Sequence, residues 1–437
     1  MSNNFDKKPQ DAYKQCSINK GGSLRKGGPD NFIIPLGPYH PLFEEPEFFQ
    51  LVVDGETVVD INVRIGYNHR GIEKLAETKN WDQDTFLIER VCGICSTSHP
   101  FAYVSAVEDI LGVDIPPRAK YIRCVIGELE RIHSHLLWFG LAGHFLGYNT
   151  VFMWAWKQRE YILDMCERLT GNRNHYAMFK PGGVRRDFTD EAIDWTLEKL
   201  KLLWKPMKMF VGAVMDDPVI HARTKNVGVL TYEDAVKWCA LGPTSRASGV
   251  PWDIRATDPY AAYGELLDKD VWKVIVLPEG DVFAKVAVRL LEIIESMKIT
   301  QYCLENLPPG DIDLNIKEVP AGEGCGHAEA PRGEVFHYVR SDGTNTPVRH
   351  KIRAPTFMNL PTFQSTCRGE DVADVAIITA AIDPCYCCTE RVQIMDKKHG
   401  LKKVSEKDLV KLSSEKTKKI RQKMGITEDP FAKMLRG

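Results

Sequence analysis

Long hydrophobic runs are missing from this chain. No stretch of eighteen apolar residues occurs, so no segment is expected to span a bilayer. The start, Met1-Ser2-Asn3-Asn4-Phe5-Asp6-Lys7-Lys8, lacks the apolar core of a secretory signal, which makes the cytoplasm the expected location. A surplus of one charge is missing as well. The formal net charge of −2 argues against generic nucleic-acid binding. No internal repeat is found, and no cysteine run has the spacing of a ferredoxin-like cluster. If the chain does redox chemistry, no iron–sulfur cluster is expected in it, and its electron wire must lie in another subunit.

What is present suits a soluble globular protein. Apolar residues make up 43% and charged residues 27% of 437 positions, enough for a substantial core. Twelve cysteines in such a chain fit a reducing compartment better than a disulfide framework. Seven of them, Cys16, Cys124, Cys166, Cys239, Cys303, Cys325 and Cys367, are isolated and read as small buried hydrophobes. The others concentrate in Cys92-Gly93-Ile94-Cys95 and Cys385-Tyr386-Cys387-Cys388. Two thiolates three positions apart can grip one metal from one turn of backbone, and two such pairs supply four sulfurs. Soft ligands restrict the choice to zinc, an iron–sulfur cluster or a redox metal such as nickel. Ligand count alone favours structural zinc.

Along the chain, residues 1–30 are polar and read as a disordered tail. Leu51 to Val63 reads as two strands around a Gly turn. From about Ile72 to Trp204 the pattern is mostly helical. Pro116-Pro117 marks a helix start, followed by Ile122, Val125, Ile126, Leu129, Ile132 and Leu136 at helical spacing. Residues 154–170 and 189–204 read as further long helices. Val271–Ser296 reads as another, interrupted or capped at Pro278. Turns with short strands occupy roughly 307–357. Residues 392–437 carry thirteen Lys/Arg against six Asp/Glu, a basic extension unlike the rest.

The flanks of the cysteine pairs change the reading of the metal. Arg70-Gly71-Ile72-Glu73 precedes Glu89-Arg90-Val91-Cys92-Gly93-Ile94-Cys95, and the second pair sits in Asp383-Pro384-Cys385-Tyr386-Cys387-Cys388-Thr389-Glu390-Arg391. In order and position these resemble the two signatures of the large subunit of [NiFe]-hydrogenases. Uptake enzymes of that family carry a His three residues after the last Cys. Here that place is Arg391, which resembles the membrane-bound, energy-converting branch of Ech and formate-hydrogenlyase type. Glu128 to His135, Lys180 to Asp187 and Leu241 to Arg255 are similar to the wider family, which includes the quinone-site subunit of respiratory complex I. The resemblance covers about residues 32–395.

It implies a mainly α fold with small α+β segments, the large-subunit fold of a central bundle of long helices with peripheral short strands. The domain would occupy 31–391. The resemblance also implies a Ni–Fe centre whose iron carries CO and CN⁻. Cys92 and Cys385 would bind nickel terminally, Cys95 and Cys388 would bridge, and Cys387 would not be a ligand. Arg332, in Glu329-Ala330-Pro331-Arg332-Gly333-Glu334, would stand above the open coordination site as a permanently charged planar donor. Arg353-Ala354-Pro355-Thr356-Phe357 resembles the strip around the diatomic ligands, with Thr356 donating and Pro355 excluding water. Gly37 to Pro46 resembles the segment bearing the first proton acceptor, which maps to Glu45, with Glu44 as competitor. Glu73 and Arg90 would support the centre, although Glu73 reads equally well as a carboxylate paired to Arg90 or Arg70. His133 and His135, at i and i+2, face different ways on a helix and do not form a clamp.

Implied partners are a small iron–sulfur subunit, a ferredoxin-like electron-transfer subunit, integral membrane ion-translocating subunits and hydrogenase maturation factors. The chain would sit peripherally on the inner face of the cell membrane. Several large subunits of that family lose an extension beyond the second Cys pair after nickel insertion. Residues 392–437 are therefore either such a maturation peptide or a retained docking tail. Two other functions stay open on the residues themselves: a complex-I-like quinone subunit without the metal, and a zinc-stabilised interaction protein.

Overall fold

The computed structural model describes residues 31–40, 43, 45–389, 395–396, 400–401, 406–423 and 425. The expected tail at 1–30, Glu44, Arg391 and part of the basic extension lie outside the described residues, as does Cys16. The chain divides into two compact units with the break between Glu390 and Arg391.

In the larger unit the chain starts with an antiparallel sheet of β1 (Phe32–Leu36), β2 (Phe48–Asp54) and β3 (Thr57–Arg64). The strands flanking the Gly55 turn match expectation; β1 was not anticipated. Two short helices follow, α1 (Ile72–Ala76) and α2 (Trp81–Glu89), the second closed at its start by an Asn80–Gln83 capping box. Next come α3 (Ser98–Leu111), α4 (Pro117–Phe145), α5 (Asn149–Thr170) and α6 (Asp190–Asp216). After several short helices, α7 (Val282–Glu305) completes the set of long ones. A second antiparallel sheet holds β4 (Ala321–Ala330), β5 (Gly333–Asp342) and β6 (Arg349–Arg353). Helices α8 (Pro355–Asn359) and α9 (Val375–Ala381) lead to the second cysteine pair.

The chain is mainly helical with small sheets. Helix α4 packs against α5 and α7, and α6 lies against α5 and α7, so α4 is surrounded. Its six apolar positions from Ile122 to Leu136 are all fully buried, as their spacing predicts. Because α4 has almost no solvent face between Tyr121 and Gly143, its polar residues there are buried too. They survive by pairing: Glu128 bridges Arg131 and Arg255, Arg123 grips Glu108 with two bonds, and His135 meets Glu292 at 2.9 Å. His133 turns the other way, to Arg159 on α5.

Four expectations change. The predicted helix from Val271 begins only at Val282, where the Asp281 side chain caps it by accepting from Ala284 N at 2.7 Å. Helix α6 does not stop near 204 but runs through Pro206, because Met207, Phe210 and Val214 continue its buried face. Strands β4 and β5 are ten residues each, longer than the short strands foreseen. Strand β4 reads as a loop because Gly322, Gly324 and Gly326 alternate along it. They let α3 lie on the strand: a Cβ at Gly326 would sit 2.1 Å from the Ala102 carbonyl oxygen. Among the isolated cysteines, Cys124, Cys166, Cys303 and Cys367 are buried, whereas Cys239 and Cys325 are exposed.

In the smaller unit, α10 (Glu406–Lys423) follows a two-residue hairpin, Met395–Asp396 with Gly400–Leu401. Its residues from Lys411 to Ile420 are exposed.

Candidate metal centre

The first cysteine pair occupies the turn between α2 and α3. Ile94 N and Cys95 N both donate to Cys92 Sγ, at 3.3 and 3.1 Å, so the turn wraps this sulfur with amides. The turn's exit is fixed by a buried carboxylate from α4. Glu130 accepts from the amides of Thr97 and Ser98 and from the Ser98 hydroxyl, satisfying groups at the start of α3. Burial, outweighing those bonds, pushes the Glu130 carboxyl up to about 7.

The second pair follows α9. Asp383 takes a left-handed conformation, φ 55°, which turns the chain into Pro384 and Cys385. Cys385 N donates to Thr356 Oγ1 at 3.1 Å, and Tyr386–Cys388 closes as a 3-10 turn. The two pairs meet here. Cys92 Sγ lies 3.0 Å from Cys385 Sγ, which in turn lies 3.0 Å from Cys388 Sγ and 3.3 Å from Cys387 Sγ. These four sulfurs all fall within 4.8 Å of one another. Cys95, also buried, stands beside Cys92. Burial raises the Cys92 thiol, but bonds from Cys385, Cys387, Cys388 and Cys95 outweigh it and hold it well below its usual range. The donor set is soft, dry and able to carry negative charge, which fits a thiophilic redox metal.

Arg332 occupies the tip of the β4–β5 hairpin, and only 2% of it is exposed. Gly333 beside it has φ 124°, and a Cβ there would meet Gly242 N at 2.6 Å, so the hairpin tip can enter the core only with glycine. The guanidinium reaches Asp383 O through Nε (2.8 Å), Asp383 Oδ1 through Nη2 (2.6 Å), Ser134 Oγ (3.0 Å) and Cys95 Sγ (3.5 Å). Burial works against its charge, yet Asp383 and the thiols outweigh this and keep it protonated. Glu45 arrives from the N-terminal segment and accepts from Cys387 N at 2.7 Å. Burial, and then the charge of Cys92, raise its carboxyl above the ordinary value. Phe43 steadies this segment against Tyr386, edge to face at 6.0 Å.

Thus Cys92, Cys95, Cys385, Cys388, Arg332, Thr356 and Glu45 come together, with Pro355 buried at the first turn of α8. Other expected residues are engaged elsewhere. Arg353 is committed to Glu334, through its carbonyl (2.6 Å) and its carboxylate. Glu73 holds β6 through Lys351 Nζ (3.0 Å) and Ile352 N (3.1 Å). Arg90 is about half exposed, and its guanidinium stays on its own helix, with Phe86 O and Glu89. Three contributors were not foreseen. Asp383 and Ser134 orient Arg332. Arg70 ties the two cysteine turns together by donating to Arg90 O (2.7 Å), Val91 O (2.8 Å) and Cys387 O (3.1 Å). Its place in the Arg-Gly-Ile-Glu signature was the available signal; Ser134 had only the wider-family likeness of its segment.

Comparison with known proteins identifies relatives of the chain. Residues 70–146 match the nickel-dependent hydrogenase family, and residues 146–319 and 312–391 match the 49 kDa subunit of respiratory-chain NADH dehydrogenase. The chain is 43% identical over 401 residues to the membrane-bound hydrogenase subunit alpha of Pyrococcus furiosus, covering 89% of this chain and 93% of that one. This chain belongs to the family of membrane-bound hydrogenase large subunits and complex I 49 kDa subunits. Formate hydrogenlyase subunit 5 of Escherichia coli is 38% identical over 394 residues, 89% of this chain and 68% of its own. Among solved structures, a chain of the membrane-bound sulfane sulfur reductase, an archaeal respiratory membrane complex, superposes with a TM-score of 0.78 at 32% identity. That match covers 83% of this chain and 99% of the other. Two of these three are named for membrane-bound systems, the Pyrococcus hydrogenase and the sulfane sulfur reductase. Among the described residues, no helix is long and apolar enough to cross a membrane.

Proposed function

We propose that this chain is the catalytic large subunit of a membrane-bound [NiFe]-hydrogenase complex, interconverting protons and H2. The observation that carries the reading is the meeting of both cysteine pairs beside the buried guanidinium of Arg332. Cys92, Cys95, Cys385 and Cys388 would hold the nickel–iron centre. When bound, that centre supplies the two-electron redox chemistry of hydrogen.

The chain's own groups do the rest. Arg332, fixed by Asp383, presents a constant positive charge without titrating. Pro355 and Thr356 close the pocket against water, and the Thr356 hydroxyl also accepts from the Cys385 amide. Glu45 exchanges protons at its carboxylate, positioned by the Cys387 amide. Electrons come from a small iron–sulfur subunit, linked to a ferredoxin-like donor, and integral membrane partners couple the reaction to ion movement. The chain would lie peripherally on the cytoplasmic face of the membrane.

A second reading has one specific support: the longer family match, 146–391, is to the 49 kDa subunit of NADH dehydrogenase. Metal analysis of the purified complex separates the readings. About one nickel and one iron per chain, with infrared bands of iron-bound CO and CN⁻, are expected for the hydrogenase. A metal-free chain favours the quinone-type subunit. Zinc alone identifies a structural site.

A further inference from the structure

Six large apolar side chains stand in water where the start of α5 meets the later part of α6. Met153 and Trp154 belong to α5, Leu202, Met209 and Met215 to α6, and Val219 to the short helix Pro218–Thr224. Each is between 46% and 63% exposed. Two contacts bring these elements side by side. Tyr148 Oη, at the entrance to α5, donates to Asp217 Oδ1, at the exit of α6, at 3.4 Å. Further along, Lys199 Nζ of α6 lies over the Tyr161 ring of α5, 5.8 Å from its centre. The two helices therefore run antiparallel. Trp154, seven residues before Tyr161, falls on the same stripe of α5.

The charge on this surface has one sign over a long stretch. From Lys199 to Met215 the chain holds four lysines and no carboxylate, in a protein whose formal net charge is −2. Lys201, Lys205 and Lys208 are exposed, and among the described residues none of them forms an ion pair. They recur at i, i+4 and i+7, a stripe that adjoins the one made by Leu202 and Met209. Helix α6 buries its opposite face, through Leu203, Met207, Phe210 and Val214. The helix dipole does not account for the lysines. It favours cations only in the last turn, and Lys208 stands eight residues before the final Asp216.

The mixture itself indicates what covers this face. Protein interfaces are depleted in lysine at their centres. A bilayer surface favours the combination, because lysine stems and tryptophan rings lie at headgroup depth while ammonium groups meet phosphates. We propose that this face of α5 and α6 rests on the anionic lipid surface of the membrane. Trp154, Leu202 and Met209 enter the headgroup layer, and Lys201, Lys205 and Lys208 bind lipid phosphates. The proposal names the contact for the peripheral placement given above, and rests on that reading for the presence of a membrane. Among the described residues no helix is long and apolar enough to cross a bilayer, so contact from this part of the chain has to be made at the surface.

Flotation of the full-length chain with vesicles tests the contact, with nickel and iron counted in the same preparation. Vesicles of equal phosphatidylglycerol and phosphatidylcholine should bind the chain and lose it as salt is raised, whereas phosphatidylcholine alone should not bind it. The basic residues after Arg391 can bind the same vesicles, so variants decide. Lys205→Gln with Lys208→Gln should weaken binding roughly 25-fold, about fivefold per lysine. Brominated lipid should quench part of the tryptophan emission, and Trp154→Phe should remove that part. Wild-type binding in the double variant, or unchanged quenching in Trp154→Phe, overturns the proposal. In the native membrane Lys205 and Lys208 should be shielded from a water-soluble amine reagent, and detergent extraction of the complete complex should expose them. Shielding that survives extraction identifies a protein partner there and overturns the lipid contact. A chain that binds through this face yet holds no nickel or iron overturns the hydrogenase reading and supports the contact. A nickel-loaded chain that fails to float does the reverse.

Discussion

Arg332 grips Asp383 twice, Nη2 to the carboxylate at 2.6 Å and Nε to the main-chain carbonyl at 2.8 Å. One side chain thereby fixes a left-handed residue two positions before Cys385 while aiming its remaining nitrogen at Ser134 and Cys95. A lysine cannot make this set of contacts, because its donors radiate from a single atom. Arg332→Lys should keep nickel and iron but lose roughly ten- to a hundredfold in H2 evolution, the equivalent of one charge-assisted bond worth about 1.5–3 kcal/mol. Metal counting alongside turnover checks it, and wild-type turnover would remove Arg332 from the mechanism.

Two cysteines compete for the last ligand position. Cys387 Sγ falls in the tight group of four, whereas Cys95 stands to one side of it, facing Arg332. Cys387 is the more exposed, and its backbone is already used at both ends, its amide by Glu45 and its carbonyl by Arg70. Cys95→Ser should therefore lose nickel, as should Ser at Cys92, Cys385 or Cys388, while Cys387→Ser retains it. Nickel content of the five purified variants decides the ligand set. The opposite pattern for Cys95 and Cys387 would exchange their roles.

Glu45→Gln separates proton transfer from assembly. Glutamine can still accept from the Cys387 amide, so the turn stays anchored, but it cannot ionise. H2 evolution should fall by about 10²–10⁴-fold, the range for removing a general acid–base, with metals and diatomic infrared bands intact. Unchanged turnover would move the role to Glu44 or Glu73.

Lys285 gives a prediction about stability. Burial lowers its pKa from 10.5 to about 7, and its ammonium nitrogen lies 2.9 Å from the Gly228 carbonyl oxygen. Between those values the unfolded chain binds more protons than the folded one, so this residue makes stability rise with pH from about 7 to about 10.5. The slope is at most about 1.4 kcal/mol per pH unit. Lys285→Met should flatten the dependence of Tm on pH in this window and raise Tm at pH 7. An unaltered profile would assign the dependence to other groups.

The extension beyond the second cysteine pair carries the last prediction. The break between compact units falls between Glu390 and Arg391, next to the place where the family resemblance puts a processing cut. We expect the nickel-loaded chain to end at Arg391 by intact mass. A full-length chain that is active and contains nickel makes 392–437 a retained segment.

That the two cysteine pairs, Arg332 and Thr356 gather in one place could be anticipated from the chain, because they sit in short segments whose residue types are chemically restricted. Helix α4 was legible through its periodic apolar residues, from Ile122 to Leu136. Strand β4 was not, since glycines demanded by the α3 backbone look like a turn in one dimension. The helix expected over 189–204 runs on through Pro206, because one missing amide bond weighs less than a buried face that continues to Val214. The roles of Ser134 and Glu130 had no signal beyond the wider-family likeness of the segment from Glu128 to His135. Their partners come from elements far apart in sequence, and only packing brings them within bonding distance.

The three carbonyls held by Arg70 belong to chain ends whose thiols, Cys92 and Cys385, are 293 residues apart. Closing a flexible loop of that length costs about 5 kcal/mol in chain entropy. A metal that had to gather its ligands from an unfolded chain would bear that cost itself. Here the core and the Arg70 seam bear it first, so the ligands are gathered by folding rather than by the ion. The folded chain holds the second cysteine turn against the first through its own contacts, so the pocket does not depend on the ion to draw its walls together.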